Sequence, residues 1–304
     1  MTLDSLKDEY AGERIFVVGN GPSLSETPLE RLDSEYSIGI NSVNKIYSET
    51  SWRPYFYYAH EHVVADIEDD IKINTKECEL CFLDSELPDE LTEQEEVYTF
   101  NRVRANSPRE YESRDGEPLN LDENEVEDMS DNELRKYWSD DITEIVYTYH
   151  SMYPVLQIVD YLGFDEIYFI GCDLGLGYHA PHLIFESGLD PHNYEGSNLS
   201  YLIDTVRSGA VVASIVNGLM YKFIYSTINP QPLLSKISDN AADDNHFGSE
   251  YFTKPRDMRK HNNHIIETHK IARRMMVPKG TELYNATIGG ELEVHPRVDI
   301  ESLV

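Results

Sequence analysis

Cysteine is nearly absent from this sequence: Cys78, Cys81 and Cys172 are the three that its 304 residues hold. Three thiols cannot build a disulfide framework, so the core must close by burial alone, which a chain of this length can supply. Basic residues are scarce too. There are 25 Lys and Arg against 56 Asp and Glu, a formal charge of -31. That balance excludes a protein that grips nucleic acid or an anionic membrane through charge, since both demand clustered cations. Apolar runs of about 18 residues are missing, which excludes a membrane-spanning helix. The opening residues do not resemble a signal peptide, and the expected compartment is cytoplasmic.

What is present argues for a folded chain. Hydrophobic residues make up 40% and aromatics 11%, including 21 tyrosines, too many for an acidic disordered segment. A carboxylate surface of this density repels itself in dilute buffer and stays hydrated when molar salt screens it. A salt-adapted, archaeal host is the expectation.

Short apolar runs mark the strands: Arg14 to Val18, Tyr36 to Ile40, Pro54 to Ala59, Leu80 to Leu83, and Ile167 to Ile170, with a closing strand at Thr281 to Asn285. They are continuously apolar, as strands covered on both faces are. Helical spacing runs from Ser151 to Leu162, where Val155, Ile158, Val159 and Leu162 recur before Gly163. It returns over about 199–228 and 260–276. The alternation predicts an α/β fold: a Rossmann-like, doubly wound, mostly parallel sheet with helices on both faces, plus a C-terminal helical or lid region. Residues 1–185 are expected to form a nucleotide-binding core. The acidic stretch at about 107–141 reads as an insertion with few apolar anchors, and 186–304 as the C-terminal part packed with the core. No internal repeat is visible.

Three places could carry chemistry. The turn Gly19-Asn20-Gly21-Pro22-Ser23-Leu24 follows the first strand, where an open α/β sheet binds ligands. Its glycines would let backbone approach a phosphate, and Ser23 stands near a helix start whose N–H groups favour anions. Asn41 follows the second strand and lies on the same edge. Ser151 leads a helix and Asp173 ends a strand; capping is the plainer role for each. Two other groupings carry less. Cys78 and Cys81 form a C-x-x-C without a second pair, in what reads as a strand, and are expected to line the core. His60-Glu61-His62, taken as extended, puts both imidazoles on one face, with no third metal ligand apparent.

These motifs carry a resemblance. The Gly-Asn-Gly-Pro-Ser-Leu turn, the strand ending Gly39-Ile40-Asn41, Ser151 before its helix, and Ile170-Gly171-Cys172-Asp173 are similar to the bacterial CMP-sialic acid-dependent sialyltransferases. They also resemble the broader family grouped with archaeal hydroxymethylpterin diphosphokinase. Asp244-Asn245-His246-Phe247 with Tyr251, and the segment from Asn285 to Asp299, are closer to that broader family. The sialyltransferase resemblance implies that Asn20 and Asn41 contact a CMP-sugar and that Ser151 contacts the nucleotide. It further implies a histidine base, best matched by His246, and leaving-group tyrosines, best matched by Tyr178 and Tyr251, with no metal or cofactor. His179, His182 and His192 stay open as bases. The implied partners are a nucleotide-activated sugar and a glycan or glycolipid acceptor, and a homo-oligomer is compatible with them. The diphosphokinase alternative requires ATP and Mg²⁺. A binding protein without turnover is the third reading.

Overall fold

The computed structural model describes residues 2–105, 118–121, 125–174 and 259–304. The chain forms two compact units, Met1–Asp173 with Asn263–Val304, and Leu174–Asn262. The first holds a seven-stranded sheet. Its strands are β1 (Arg14–Val18), β2 (Tyr36–Ile40), β3 (Phe56–Ala59), β4 (Leu80–Asp84), β5 (Val97–Phe100), β8 (Glu166–Ile170) and β9 (Glu282–Asn285). They lie in the order β5-β4-β3-β2-β1-β8-β9, every pairing parallel. A separate parallel pair joins β6 (Arg102–Arg104) to β7 (Val146–Thr148). The Rossmann-like α/β arrangement is as the sequence predicts.

Among the described residues three long helices accompany the sheet: α1 (Glu61–Glu77), α2 (Met152–Leu162) and α3 (Arg259–Met276). Among the described residues none is long and apolar enough to cross a membrane. In β1 alternate residues serve opposite faces. Ile15 and Val17 join a core with Ile38, Phe56, Phe82, Ile167 and Phe169, closed by Val155, Ile158 and Val159 of α2 and Ile271 and Met275 of α3. Phe16 faces the other way and stacks on Tyr168, which stacks on Tyr284. Gly163 ends α2 in the left-handed conformation, the C-terminal signal that the sequence carries.

Two expectations are corrected here. The acidic stretch has apolar anchors after all: Leu119, Leu121, Val126, Leu134, Tyr137 and Trp138 are buried in the main core. Arg274 ties it down further, bonding Asp131 and the carbonyls of Val126 and Met129. Apart from the adjacent Tyr137 and Trp138, the anchors stand singly among polar and acidic residues, so no long apolar run advertises them. Cys78 ends α1 instead of lying in a strand; Cys81 is in β4, and all three thiols are free. Burial pushes the Cys78 thiol up to about 12, which leaves it protonated and inert as a nucleophile.

Candidate functional site

In a parallel sheet the strands end at one edge, so the segments after β1, β2 and β8 converge. The chain leaves β1 for β2 on one side and β8 returns on the other, which makes the gap between β1 and β8 the topological switch point. The glycine turn fills that gap. Gly19 N–H donates to the Ile170 carbonyl at 2.9 Å and Gly21 N–H to the Gly171 carbonyl at 2.8 Å. A Cβ on Gly19 would stand 2.3 Å from the Gly171 oxygen, and one on Gly21 1.7 Å from Asp173 Oδ2. Both glycines are therefore demanded by the close approach of the segment after β8.

Pro22 opens a short 3-10 turn, Pro22–Glu26. Ser23 donates its N–H to Asp173 Oδ1 at 3.2 Å and its hydroxyl to Oδ2 at 2.8 Å. The donors that the sequence offers to an anion are thus engaged by a carboxylate of the chain itself. Burial raises the Asp173 carboxyl above its usual range, and the Ser23 bonds oppose that rise. Asp173 also accepts the Glu291 N–H on its carbonyl at 2.7 Å. It is a clamp between the turn and the C-terminal segment.

One strand over, the arrangement is more open. Asn20 crosses from β1 to β2, its Nδ2 donating to the Ile40 carbonyl at 3.0 Å. Asn41 follows with φ 50, a left-handed conformation that Asn adopts more readily than other non-glycine residues. Its Nδ2 donates to Ser151 Oγ at 3.0 Å, so Ser151 leads α2 but makes no capping bond with it. Asn41 Oδ1 and the neighbouring Ser42 Oγ are buried and find no partner among the described residues. Buried polar atoms are seldom left so.

The Asn41 carbonyl is held by two residues that no local sequence signal marks. Tyr57 donates its hydroxyl to it at 2.7 Å and Asn74 its Nδ2 at 3.1 Å. Asn74, fully buried on α1, also bonds Asn44 Oδ1 and accepts the Tyr47 hydroxyl. It therefore fixes the strained residue from below. Asn74→Ala should cost about 2 kcal/mol by stranding these groups, read as a lowered urea midpoint with unchanged slope. An unchanged midpoint would remove Asn74 from the support of Asn41.

His150 precedes Ser151 in the segment ahead of α2, where the sequence assigns it no role. Its Nδ1 accepts the Met152 N–H at 3.3 Å, and its Nε2 lies 2.5 Å from Thr268 Oγ1, whose own proton goes to the Ile265 carbonyl. That network assigns the proton to Nε2. His60 reaches the same carboxyl edge, at the end of β3 and in front of α1. Glu61 and His62 belong to the helix, so the extended stretch that would align His60 with His62 does not exist. Tyr178, His179, His182, His192, His246 and Tyr251 lie outside the described residues.

No protein-family model matches the chain, and no curated protein matches its sequence. Among solved structures it bears a distant likeness to the Maf glycosyltransferase of Magnetospirillum magneticum AMB-1, with 13% identity and a TM-score of 0.46. That match covers 100% of this chain and 38% of the other, so the chain spans well under half of that protein's length. The sialyltransferase CstII of Campylobacter jejuni, solved with cytidine-5'-monophosphate, shows 15% identity and a TM-score of 0.29 over 81% of this chain and 90% of its own. Neither score places the chain in a family.

Proposed function

We propose that the protein is a glycosyltransferase that moves a sugar from a nucleotide-activated donor, CMP-linked and sialic-acid-like, to a glycan or glycolipid acceptor without a metal. The observation that carries the reading is Asn41. Its left-handed backbone is held in place by Tyr57 and Asn74, its amide nitrogen is engaged by Ser151, and its Oδ1 is buried with no partner among the described residues. Backbone strain that the surroundings enforce collects at functional sites. An oriented acceptor beside a serine hydroxyl suits the amino and hydroxyl donors of a nucleoside. Because Ser23 is committed to Asp173, the nucleoside end of the donor is assigned to Asn20, Asn41 and Ser151.

In this scheme a neutral His246 takes the proton from the acceptor hydroxyl. The oxygen bonds to the anomeric carbon, the bond from that carbon to the phosphate oxygen breaks, and the nucleotide leaves with the electron pair. Tyr178 and Tyr251 donate hydrogen bonds to the departing phosphate.

Thermal shift in molar KCl with CMP, CDP, UDP, GDP, ADP and ATP, each with and without Mg²⁺, tests the donor class, since a ligand of the folded state raises the melting temperature. CMP should act without Mg²⁺. Asn41→Gly keeps the left-handed backbone free of strain while deleting the amide, and should weaken CMP by about tenfold, the equivalent of one hydrogen bond. A shift confined to ATP with Mg²⁺ would favour the diphosphokinase reading. In a transfer assay His246→Ala should lose turnover and keep CMP affinity; normal turnover would move the base to His179, His182 or His192.

A further inference from the structure

At the opposite, amino-terminal edge of the sheet lies a cavity of about 470 Å³, lined by Glu9, Tyr10, Glu13, Tyr36, Tyr55, Glu79 and Glu96 with Ala11 and Leu80. Its walls are aromatic. Tyr36 meets Tyr10 and Tyr55 edge to face, with ring centroids 5.0 and 5.1 Å apart, and Tyr10 stacks on Phe164 behind them. Tyr10 is itself buried, which fixes the floor. Four glutamates stand exposed around the mouth, and none forms an ion pair among the described residues. Among the described residues no Lys or Arg lines the cavity. Elsewhere on this surface basic side chains do reach glutamates, as at Arg14–Glu35, Arg53–Glu77 and Arg297–Glu293.

The sheet order converts this lining into a linear pattern. Glu13 directly precedes β1, Tyr36 opens β2, Tyr55 precedes β3, Glu79 precedes β4 and Glu96 precedes β5, and these strands are adjacent in that sequence. Carboxylates therefore occupy both ends and tyrosines the middle. With strands spaced about 4.8 Å, Glu13 lies roughly 14 Å from Glu79 and roughly 19 Å from Glu96. A small cation could satisfy one end only. A flexible chain with ammonium groups at its ends and methylenes between them matches all three parts. Its charges meet carboxylates, and its middle and any inner ammonium lie along tyrosine rings, where cations and apolar groups are both welcome.

We propose that this groove binds a linear aliphatic polyamine, at a site separate from the nucleotide edge. The strongly negative surface would also concentrate such a ligand.

Calorimetric titration tests this, with KCl set as low as the far-ultraviolet dichroism of the fold tolerates. Spermine and a twelve-carbon diamine should each bind saturably at one site, while putrescine, which carries the same two charges as the diamine but cannot span the groove, should bind about tenfold more weakly. Glu79→Gln with Glu96→Gln, both exposed and outside the core, should reduce spermine affinity by about tenfold or more, whereas Glu30→Gln with Glu144→Gln, equally exposed elsewhere, should not. Putrescine matching the long diamine would overturn the proposal. So would equal losses in the two double variants, or equal binding by tetramethylammonium or Mg²⁺, since each describes a merely acidic surface.

Discussion

Moving the protein from pH 7.5 to pH 5 in molar KCl should remove about 4 kcal/mol of its stability through two histidines alone. His269 of α3 and His295, in the segment after β9, are buried and bonded to each other, with Nδ1 of the first 2.9 Å from Nε2 of the second. Phe169 of β8 stacks on His295 and meets His269 edge-on. Burial pushes His269 down to about 3. Burial, with the neighbouring charges of His269 and Arg273, pushes His295 down to about 2. An unfolded chain takes up these protons near pH 6.5, but the folded one does not until far lower. Between the two values the unfolded state binds more protons, so stability rises with pH and is lost on acidification below about 6.5. Each residue contributes about 2 kcal/mol over the stated interval, and the sum is a large share of an ordinary folding free energy. High salt is needed because self-repulsion among the carboxylates depends on pH as well. Urea midpoints across the interval give the stability, and imidazole proton resonances give the mechanism. Two rings must stay unprotonated at pH 5 in the folded protein. If every imidazole titrates near pH 6.5, the pair is not the cause.

That pair illustrates which parts of the molecule a linear reading reaches. The ends of β1 and β2 were legible to the residue because a buried parallel strand is a continuous apolar run that stops at glycine or asparagine. β5 was missed. Its Val97-Tyr98-Thr99-Phe100 alternates exposure at the sheet edge and sits behind a row of glutamates. α1 was missed for a related reason: its acidic sequence holds too few apolar residues to show a stripe, and it gains its place by packing on β3 and β4. At the site, Asn20 and Asn41 were legible as sharing one edge and Ser151 as the start of a helix, and the structure brings Asn41 and Ser151 into contact. Asn74, Tyr57 and His150 were invisible because their partners are chosen by tertiary proximity. The glycine turn stands out in the sequence, but the crowding around Gly19 and Gly21 does not, since the atoms that crowd them come from about 150 residues away in sequence.

That reason makes the glycine turn the place where a single methyl group should do most damage. Gly19 and Gly21 have ordinary negative φ, so alanine would be conformationally acceptable at both, and only space forbids it. At Gly19 the obstacle is backbone, the Gly171 carbonyl at 2.3 Å, and a carbonyl that accepts from Gly21 cannot step aside without releasing that bond. Gly19→Ala should therefore combine overpacking with one or two broken buried hydrogen bonds, a loss of about 3–5 kcal/mol. Gly12→Ala makes the contrasting control. Gly12 has φ +89 but nothing within 4 Å of its Cβ position, so it should cost only about 1 kcal/mol of backbone strain. Gly21→Ala separates the two kinds of obstacle. Its nearest atom is the Asp173 carboxylate, with the Gly171 oxygen next at 2.6 Å, so adding Asp173→Ala should restore part of its stability and none of that lost in Gly19→Ala. A double-mutant cycle from urea midpoints reads the coupling directly. Strict additivity in the Gly21 and Asp173 cycle, or a Gly19→Ala protein as stable as Gly12→Ala, would mean that the turn and the segment after β8 are not locked together. In the locked arrangement the switch point is already filled by Asp173, and among the described residues of this edge Asn41 Oδ1 and Ser42 Oγ are buried without a partner.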